Sequence, residues 1–178
     1  MARTTATQAD TEEGRDGAAP APDYQRKYCL VGAGPAGLVM GRALLHEGVS
    51  FDWFERHTDV GGIWDIDSPG SPMYESAHFI SSKYTSSFVG HPMPDDYPDY
   101  PTWSQIRDYI RDFARAYDLT RHVTFGVSVD QAEPLPGDRW QVTLSTGETR
   151  IYDGLIAAPG VTWHPNRPSL PGADSYTG

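Results

Sequence analysis

Apolar and polar positions follow two rhythms along this chain, and the places where the rhythm changes mark its elements. Lys27-Tyr28-Cys29-Leu30-Val31 reads as a buried strand. Ala36 to Glu47 has helical spacing, and Phe51-Asp52-Trp53-Phe54 is a short second strand that ends at Glu55. Residues 65–103 lose any period, because Pro69, Pro72, Pro92, Pro94, Pro98 and Pro101 break a long helix. Tyr74, Tyr84, Phe88, Tyr97, Tyr100 and Trp103 are scattered through this segment. So many aromatics predict an irregular region that packs against the body of the domain.

Helical spacing returns over Thr102–Tyr117. Thr102 and Gln105 fit a capping box. Ile106, Tyr109, Ile110, Phe113 and Tyr117 form a buried face, and Arg107, Asp108, Arg111, Asp112 and Arg115 form an opposite face expected to be solvated. Val123 to Val129 reads as a strand bent at Gly126. Trp140, Val142 and Leu144 alternate, and Thr146-Gly147 turns that strand back through Arg150-Ile151-Tyr152 as a small antiparallel ribbon. Gly154-Leu155-Ile156-Ala157-Ala158 is apolar throughout, as a central parallel strand should be, and stops at Pro159-Gly160.

The chemistry lies at the first change of rhythm. Between the first strand and the first helix stands Gly32-Ala33-Gly34-Pro35-Ala36-Gly37. A strand, this turn, a helix and an acid-tipped second strand are the order that holds a dinucleotide's diphosphate. Gly32 permits the tight turn, Gly34 lets backbone approach a pyrophosphate, and Gly37 lets the helix lie close to the strand. Pro35 suits the first helical turn, where its missing N–H has no intrahelical acceptor. With Ala36 it opens a helix whose positive end faces the phosphates. Glu55 stands eighteen residues past Gly37, where a carboxylate accepts from ribose hydroxyls and repels a 2′-phosphate. After it come Gly61-Gly62-Ile63-Trp64, two glycines that let backbone lie near a ligand and a flat apolar wall. Taken alone, that run reads rather as a loop with a core tryptophan.

Composition narrows the partners. The chain has 178 residues and a net charge of −10, with no Lys/Arg cluster, so nucleic acid is not expected. No apolar run is long enough to span a membrane, the N-terminus lacks a signal peptide's apolar core, and a cytoplasmic location is expected. Residues 1–25 are rich in Ala, Thr, Asp, Glu and Pro and are read as a disordered tail, leaving 26–178 as the domain. Cys29 is the only cysteine, which removes disulfide-exchange chemistry. The six histidines lack metal spacing and no nucleophile elbow is present, so neither a metal site nor a catalytic residue is assigned.

With these landmarks the chain resembles the N-terminal part of the flavin-containing monooxygenases, the class that includes Baeyer–Villiger relatives. Further landmarks are Phe54-Glu55-Arg56, Tyr74-Glu75-Ser76, Ser82-Lys83, Pro92-Met93-Pro94-Asp95-Asp96-Tyr97-Pro98, Ala158-Pro159-Gly160 and Leu170-Pro171-Gly172. The resemblance implies an α/β, Rossmann-like FAD-binding domain: a parallel sheet, an inserted aromatic and Pro-rich loop region, and a small antiparallel ribbon. The domain is expected to be partial, stopping before the NADPH domain and lacking a C-terminal half. By the same resemblance the ligand is FAD, with Arg56 beside Glu55 at the ribose, Gly62 and Trp64 bordering the flavin, and Val129 near the adenine. His78, His91 and Lys83 are expected as surface side chains in loops near the flavin, Lys83 alternatively as a flavin-side cation.

The family reduces FAD with NADPH, forms a flavin peroxide with dioxygen, and oxygenates a soft nucleophile or a ketone. No second G-x-G-x-x-G turn exists here to hold NADPH. Where mammalian-type members carry an asparagine close to the flavin, this chain has Ile80, whose side chain cannot hydrogen-bond a peroxide, so that the familiar geometry of oxygenation is lost or Ser81 or Ser82 substitutes. Two functions therefore stand: the FAD-binding portion of a flavin monooxygenase-like oxidoreductase, or a FAD-holding module without turnover of its own. An NAD-dependent dehydrogenase fits Gly61–Trp64 and the aromatic segment poorly. The substrate is unknown.

Overall fold

The computed structural model describes residues 27–166 and 168–177; the tail expected at 1–25 lies outside them. β1 (Lys27–Val31) lies parallel to β2 (Ser50–Glu55), and α1 (Pro35–His46) makes the crossover between them. The indole of Trp53 on β2 is fully buried and ties these pieces together. Its Nε1 donates to the Gly32 carbonyl at 2.8 Å. Its ring lies so close under α1 that a Cβ built on Gly41 would sit 2.3 Å away. A glycine in mid-helix, unfavourable by propensity, is thus what lets the helix rest on the sheet.

The parallel sheet is completed by β3 (Thr124–Phe125) and β7 (Gly154–Ala157), in the order β3-β2-β1-β7. β7 pairs only with β1, so among the described residues it is an edge and only half-buried, not the central strand its composition predicts. The expected strand over Val123–Val129 is two strands. Its first part pairs with β2 as β3, the chain turns at Gly126, and Val129 opens β4 (Val129–Leu135) of a separate antiparallel sheet. That sheet has three strands, β4-β5-β6, with β5 at Arg139–Leu144 and β6 at Thr149–Tyr152. β4 is hidden in the sequence because its register shifts between Val129 and Gln131. The irregularity puts Val129 and Ala132, three apart, into the same apolar cluster with Val142 and Leu144.

The two sheets are joined through one carboxylate. Asp52 Oδ2 accepts from Tyr152 Oη at 2.6 Å and from Arg150 Nη1 at 2.9 Å, while its Oδ1 meets Lys27 Nζ at 2.6 Å. Burial works to raise the Asp52 pKa, but these three hydrogen bonds outweigh it and hold the carboxyl below its usual range. Beneath them the Cys29 thiol is pushed up to about 12, first by burial and then by the Asp52 charge. It stays a neutral core thiol at neutral pH.

α3 (Trp103–Ala116) forms with the expected capping box: Thr102 Oγ1 accepts from the Gln105 N–H at 3.3 Å, and Gln105 Oε1 accepts from the Thr102 N–H at 2.9 Å. Its apolar face enters the main core with Leu30, Leu38 and Trp53. The aromatic segment wraps this helix. Tyr109 Oη accepts from the Phe88 N–H and donates to the His91 carbonyl at 2.6 Å. The His91 ring packs against Tyr109, Phe113 and Tyr117, with Nε2 3.2 Å from Asp112. It is therefore part of this packing, not a surface side chain by the cleft. Lys83, at the start of α2 (Lys83–Ser86), departs further from expectation. It is 5% exposed, and its Nζ donates to the carbonyls of Pro94, Asp95 and Tyr97 at 3.3, 2.8 and 2.5 Å. The ammonium is consumed in holding the Pro-rich turn.

Candidate functional site

A cleft of about 550 Å³ opens at the carboxyl ends of β1, β2 and β7, the place where open α/β sheets bind ligands. Its floor is the glycine turn and the start of α1: Val31, Gly32, Gly34, Pro35 and Ala36. One wall is Phe54, Glu55 and Arg56 at the tip of β2, with Val127 to Val129 beyond. The facing wall is Gly62, Ile63 and Trp64, and the chain after β7, from Ala157 to Trp163, closes the remaining side.

The three turn glycines differ in what they serve. A Cβ on Gly32 would lie 2.3 Å from the Ala158 carbonyl oxygen, and its φ of +97° already disfavours a side chain. A Cβ on Gly37 would lie 1.9 Å from the Gly32 carbonyl oxygen. Both positions are reserved by the protein's own packing, and Gly37 lies beneath the cleft instead of lining it. Gly34 is different. Its φ of −73° and ψ of −176° suit any residue, and a Cβ there would merely touch Gly62 Cα at 3.5 Å. Nothing inside the protein requires glycine at 34; the side chain it omits would project where the cleft floor is otherwise bare backbone.

Gly34 is also the N-cap of α1, and no side chain caps this helix and no acid stands in its first turn. The first N–H groups of the helix lack intrahelical partners, and the aligned peptide dipoles add positive potential there. The cleft floor therefore carries a positive potential that suits an anion. Gly62 faces Gly34 closely: its φ is +59°, and a Cβ on it would fall 3.1 Å from Gly34 Cα. Trp64 sets its ring edge-on to Phe79 at 5.4 Å, which fixes the indole as a wall.

Glu55 is 6% exposed and already half committed. Oε2 accepts from the Ala33 N–H at 2.6 Å and Oε1 from the His57 N–H at 2.9 Å. A carboxylate offers about four lone-pair positions, so each oxygen retains one for a ligand hydroxyl. The sequence suggests only the ligand role; the brace across the glycine turn is new. Arg56 lies under the Trp163 ring, with its guanidinium carbon 4.1 Å from the centroid, and Trp163 also faces His57 at 5.2 Å. The Trp163 Nε1 donates to the Pro159 carbonyl at 2.9 Å, which folds the chain back over the cleft.

Of the residues expected at the site, Gly32, Gly34, Pro35, Ala36, Glu55, Arg56, Gly62, Trp64 and Val129 all border this cleft, and Gly37 supports it from below. Ile80 does not border it and is 93% exposed. His78 also stays outside, near the Tyr100 carbonyl. Sequence reasoning missed Ile63, Val127, Ser128 and Trp163. The signal for Trp163 was an indole three residues past the Pro159-Gly160 turn, which itself lines the cleft. Among the described residues no group of His, Cys, Asp and Glu is placed to hold a metal, and no helix is long and apolar enough to cross a membrane.

Residues 25–178 match the family described as flavin-binding monooxygenase-like. The chain belongs to this family. Among similar proteins, flavin-containing monooxygenase 3 of Rattus norvegicus is 32% identical over 167 residues, which cover 86% of this chain and 32% of the relative. Among solved structures, this family member superimposes on S-allyl-L-cysteine S-oxygenase from Allium sativum with a TM-score of 0.73 at 25% identity, covering 86% of this chain and 40% of that one. An oxidized steroid monooxygenase bound to NADP gives a TM-score of 0.66 at 26% identity, covering 84% of this chain and 28% of the other. The chain thus spans about a third of the length of the curated relatives it matches.

Proposed function

We propose that the cleft holds FAD, and that residues 26–178 are the flavin-binding part of an NADPH-dependent monooxygenase-like oxidoreductase. The observation that carries this is Gly34. It is a glycine that neither backbone angle nor packing demands, at an uncapped helix N-terminus, in a family described as flavin-binding. A diphosphate lying on bare backbone is what makes a Cβ at that point costly.

The residues fit the cofactor by their chemistry. Gly34, Pro35 and Ala36 would receive the diphosphate, with Gly32 and Gly37 shaping the turn. Glu55 would accept from the ribose hydroxyls while bracing Ala33, and would repel the 2′-phosphate of NADP. Val129 would border the adenine, and Arg56 would lie beside the ribose. Gly62 and Trp64 would meet the ring system, which is large, flat and mostly apolar. When bound, a flavin supplies an acceptor for a hydride and, once reduced, a partner for dioxygen. The chain's own part is to bind, to orient and to exclude water through Trp64 and its edge contact with Phe79.

Reduction by NADPH and oxygenation of a soft nucleophile or a ketone are proposed for a protein of the relatives' length. A second reading, a module that holds FAD without turnover of its own, is favoured by one feature: the 178 residues contain a single G-x-G-x-x-G turn, and its acid disfavours NADP. The lone, buried Cys29 suits a reducing compartment, and we place the protein in the cytoplasm.

Binding separates the ligand assignments directly. The chain is titrated with FAD, FMN and NADP while flavin and tryptophan fluorescence are followed. FAD should bind at least roughly tenfold tighter than FMN, because only FAD engages both the turn and Glu55. Equal affinity for FMN, or preference for NADP, would overturn the proposal.

A further inference from the structure

The polar face of α3 is not simply solvated. Arg111 reaches from it to the back of the Gly61–Trp64 loop and meets an aspartate on each flank of that loop. Its Nε lies 2.9 Å from Asp59 Oδ2, and its Nη2 lies 3.4 Å from Asp65 Oδ2. The Nε contact is an off-line ion pair, since no acceptor lies in line with that N–H. Asp65 is 6% exposed; Ser68 Oγ donates to its Oδ2 at 3.1 Å, and its Oδ1 is buried with no hydrogen-bond partner. Arg111 is thus the cation that compensates a buried carboxylate.

The loop between the two aspartates has reason to need a hold. Gly61 and Gly62 are adjacent and both have positive φ, +130° and +59°. Glycines lose more freedom on ordering than any other residue. Within the loop the hydrogen bonds are long: the Gly61 N–H to the Ala33 carbonyl at 3.3 Å and the Trp64 N–H to the Gly61 carbonyl at 3.3 Å. Gly62 and Trp64 nevertheless form a wall of the cleft, whereas Asp59 and Arg111 line a separate outer cavity of about 430 Å³. Arg111 therefore touches no ligand in the cleft. It grips both ends of the wall from outside.

We infer that Arg111 is a positioning residue for the flavin site: by clamping Asp59 and Asp65 it fixes how closely Gly62 and Trp64 approach the bound ring. This rests on the FAD reading above, and it assigns to α3 a function in binding that its sequence pattern hides. A guanidinium fork can engage two carboxylates at once, whereas a lysine ammonium is a point charge on a flexible stem.

The test uses Arg111→Lys and the pair Arg111→Met with Asp65→Asn. The pair removes the cation together with the buried charge it compensates, so it should melt close to the parent. In both variants FAD affinity should fall by roughly tenfold, the weight of one misplaced charge-assisted contact. The visible band of the bound flavin should also shift, as a merely stabilising residue would not cause. In the ligand-free chain, amide exchange over residues 59–65 should quicken while β1 and β2 stay protected. FAD affinity within twofold of the parent in both variants, or unchanged exchange over 59–65, would overturn the inference. If the parent itself binds no FAD, the flavin reading fails, and the exchange measurement still decides whether Arg111 holds the loop.

Discussion

Gly34→Ala should separate ligand binding from folding more cleanly than any other change in the turn. The added methyl would contact Gly62 Cα at 3.5 Å and Gly62 N at 3.9 Å, both ordinary van der Waals distances. The backbone there, φ −73° and ψ −176°, is open to alanine. Alanine also restricts the unfolded chain, which stabilises by about 0.4–1 kcal/mol at a compatible site. Against this stands the poorer N-cap preference of alanine, a loss of similar size. The melting temperature of the ligand-free chain should therefore move little. The ligand meets a different balance. On the proposed reading the methyl would stand on the cleft floor, between the diphosphate and the N–H groups at the start of α1. Losing one hydrogen bond to a charged group costs about 1.5–3 kcal/mol, which is roughly a ten- to hundredfold loss of affinity. The assay is a fluorescence titration with FAD beside a thermal melt of the apo chain. Gly32→Ala is the contrasting variant, since its φ of +97° and the 2.3 Å approach to the Ala158 carbonyl oxygen predict a damaged fold. If Gly34→Ala binds FAD as the parent does, or if it melts as low as Gly32→Ala, the diphosphate does not lie on this turn.

Two further outcomes follow from the packing. Gly41→Ala would drive a methyl to within 2.3 Å of the Trp53 ring; helix propensity favours alanine, but overpacking should win and lower stability by about 1–3 kcal/mol in chemical denaturation. Stability should also fall in acid through Asp52, whose folded pKa lies below its ordinary value because the hydrogen bonds from Lys27, Tyr152 and Arg150 outweigh burial. Its contribution is fully present above about pH 4, the unfolded range, and is lost as pH drops through the lower folded value. Asp52→Asn should flatten the acid limb of the melting temperature against pH, and an unchanged acid limb would show that the network does not bear on stability.

The parts of the fold legible in the sequence were those set by short-range periodicity. β1, α1 and β2 are contiguous in the chain and each follows its own rhythm, so their order could be read directly, as could the capping box on α3. The irregularity in β4 was invisible because it breaks the period of two on which strand reading depends. Lys83 and Arg111 misled for a related reason. A charged residue in a loop or on a polar helix face is ordinarily solvated, and only contacts with turns eleven to fourteen residues away bury Lys83. Arg111 meets partners still further along the chain, at Asp59 and Asp65. Long-range compensation of charge leaves no local pattern.

The glycine turn shows how the two kinds of information divide at the site itself. In the sequence Gly32, Gly34 and Gly37 are equal members of one spacing. Their neighbours in space are not equal: a carbonyl blocks a side chain at 32 and at 37, and nothing comparable blocks one at 34. The first two would be glycine in any protein that packed α1 on this sheet this way, so they speak for the fold. Only Gly34 is left without a reason inside the chain, and the proposed ligand supplies one. The functional argument gains its weight from that subtraction, and it predicts an order of tolerance. Substitutions at 32 and 37 should be lost first to misfolding, whereas those at 34 should fold and fail at the ligand.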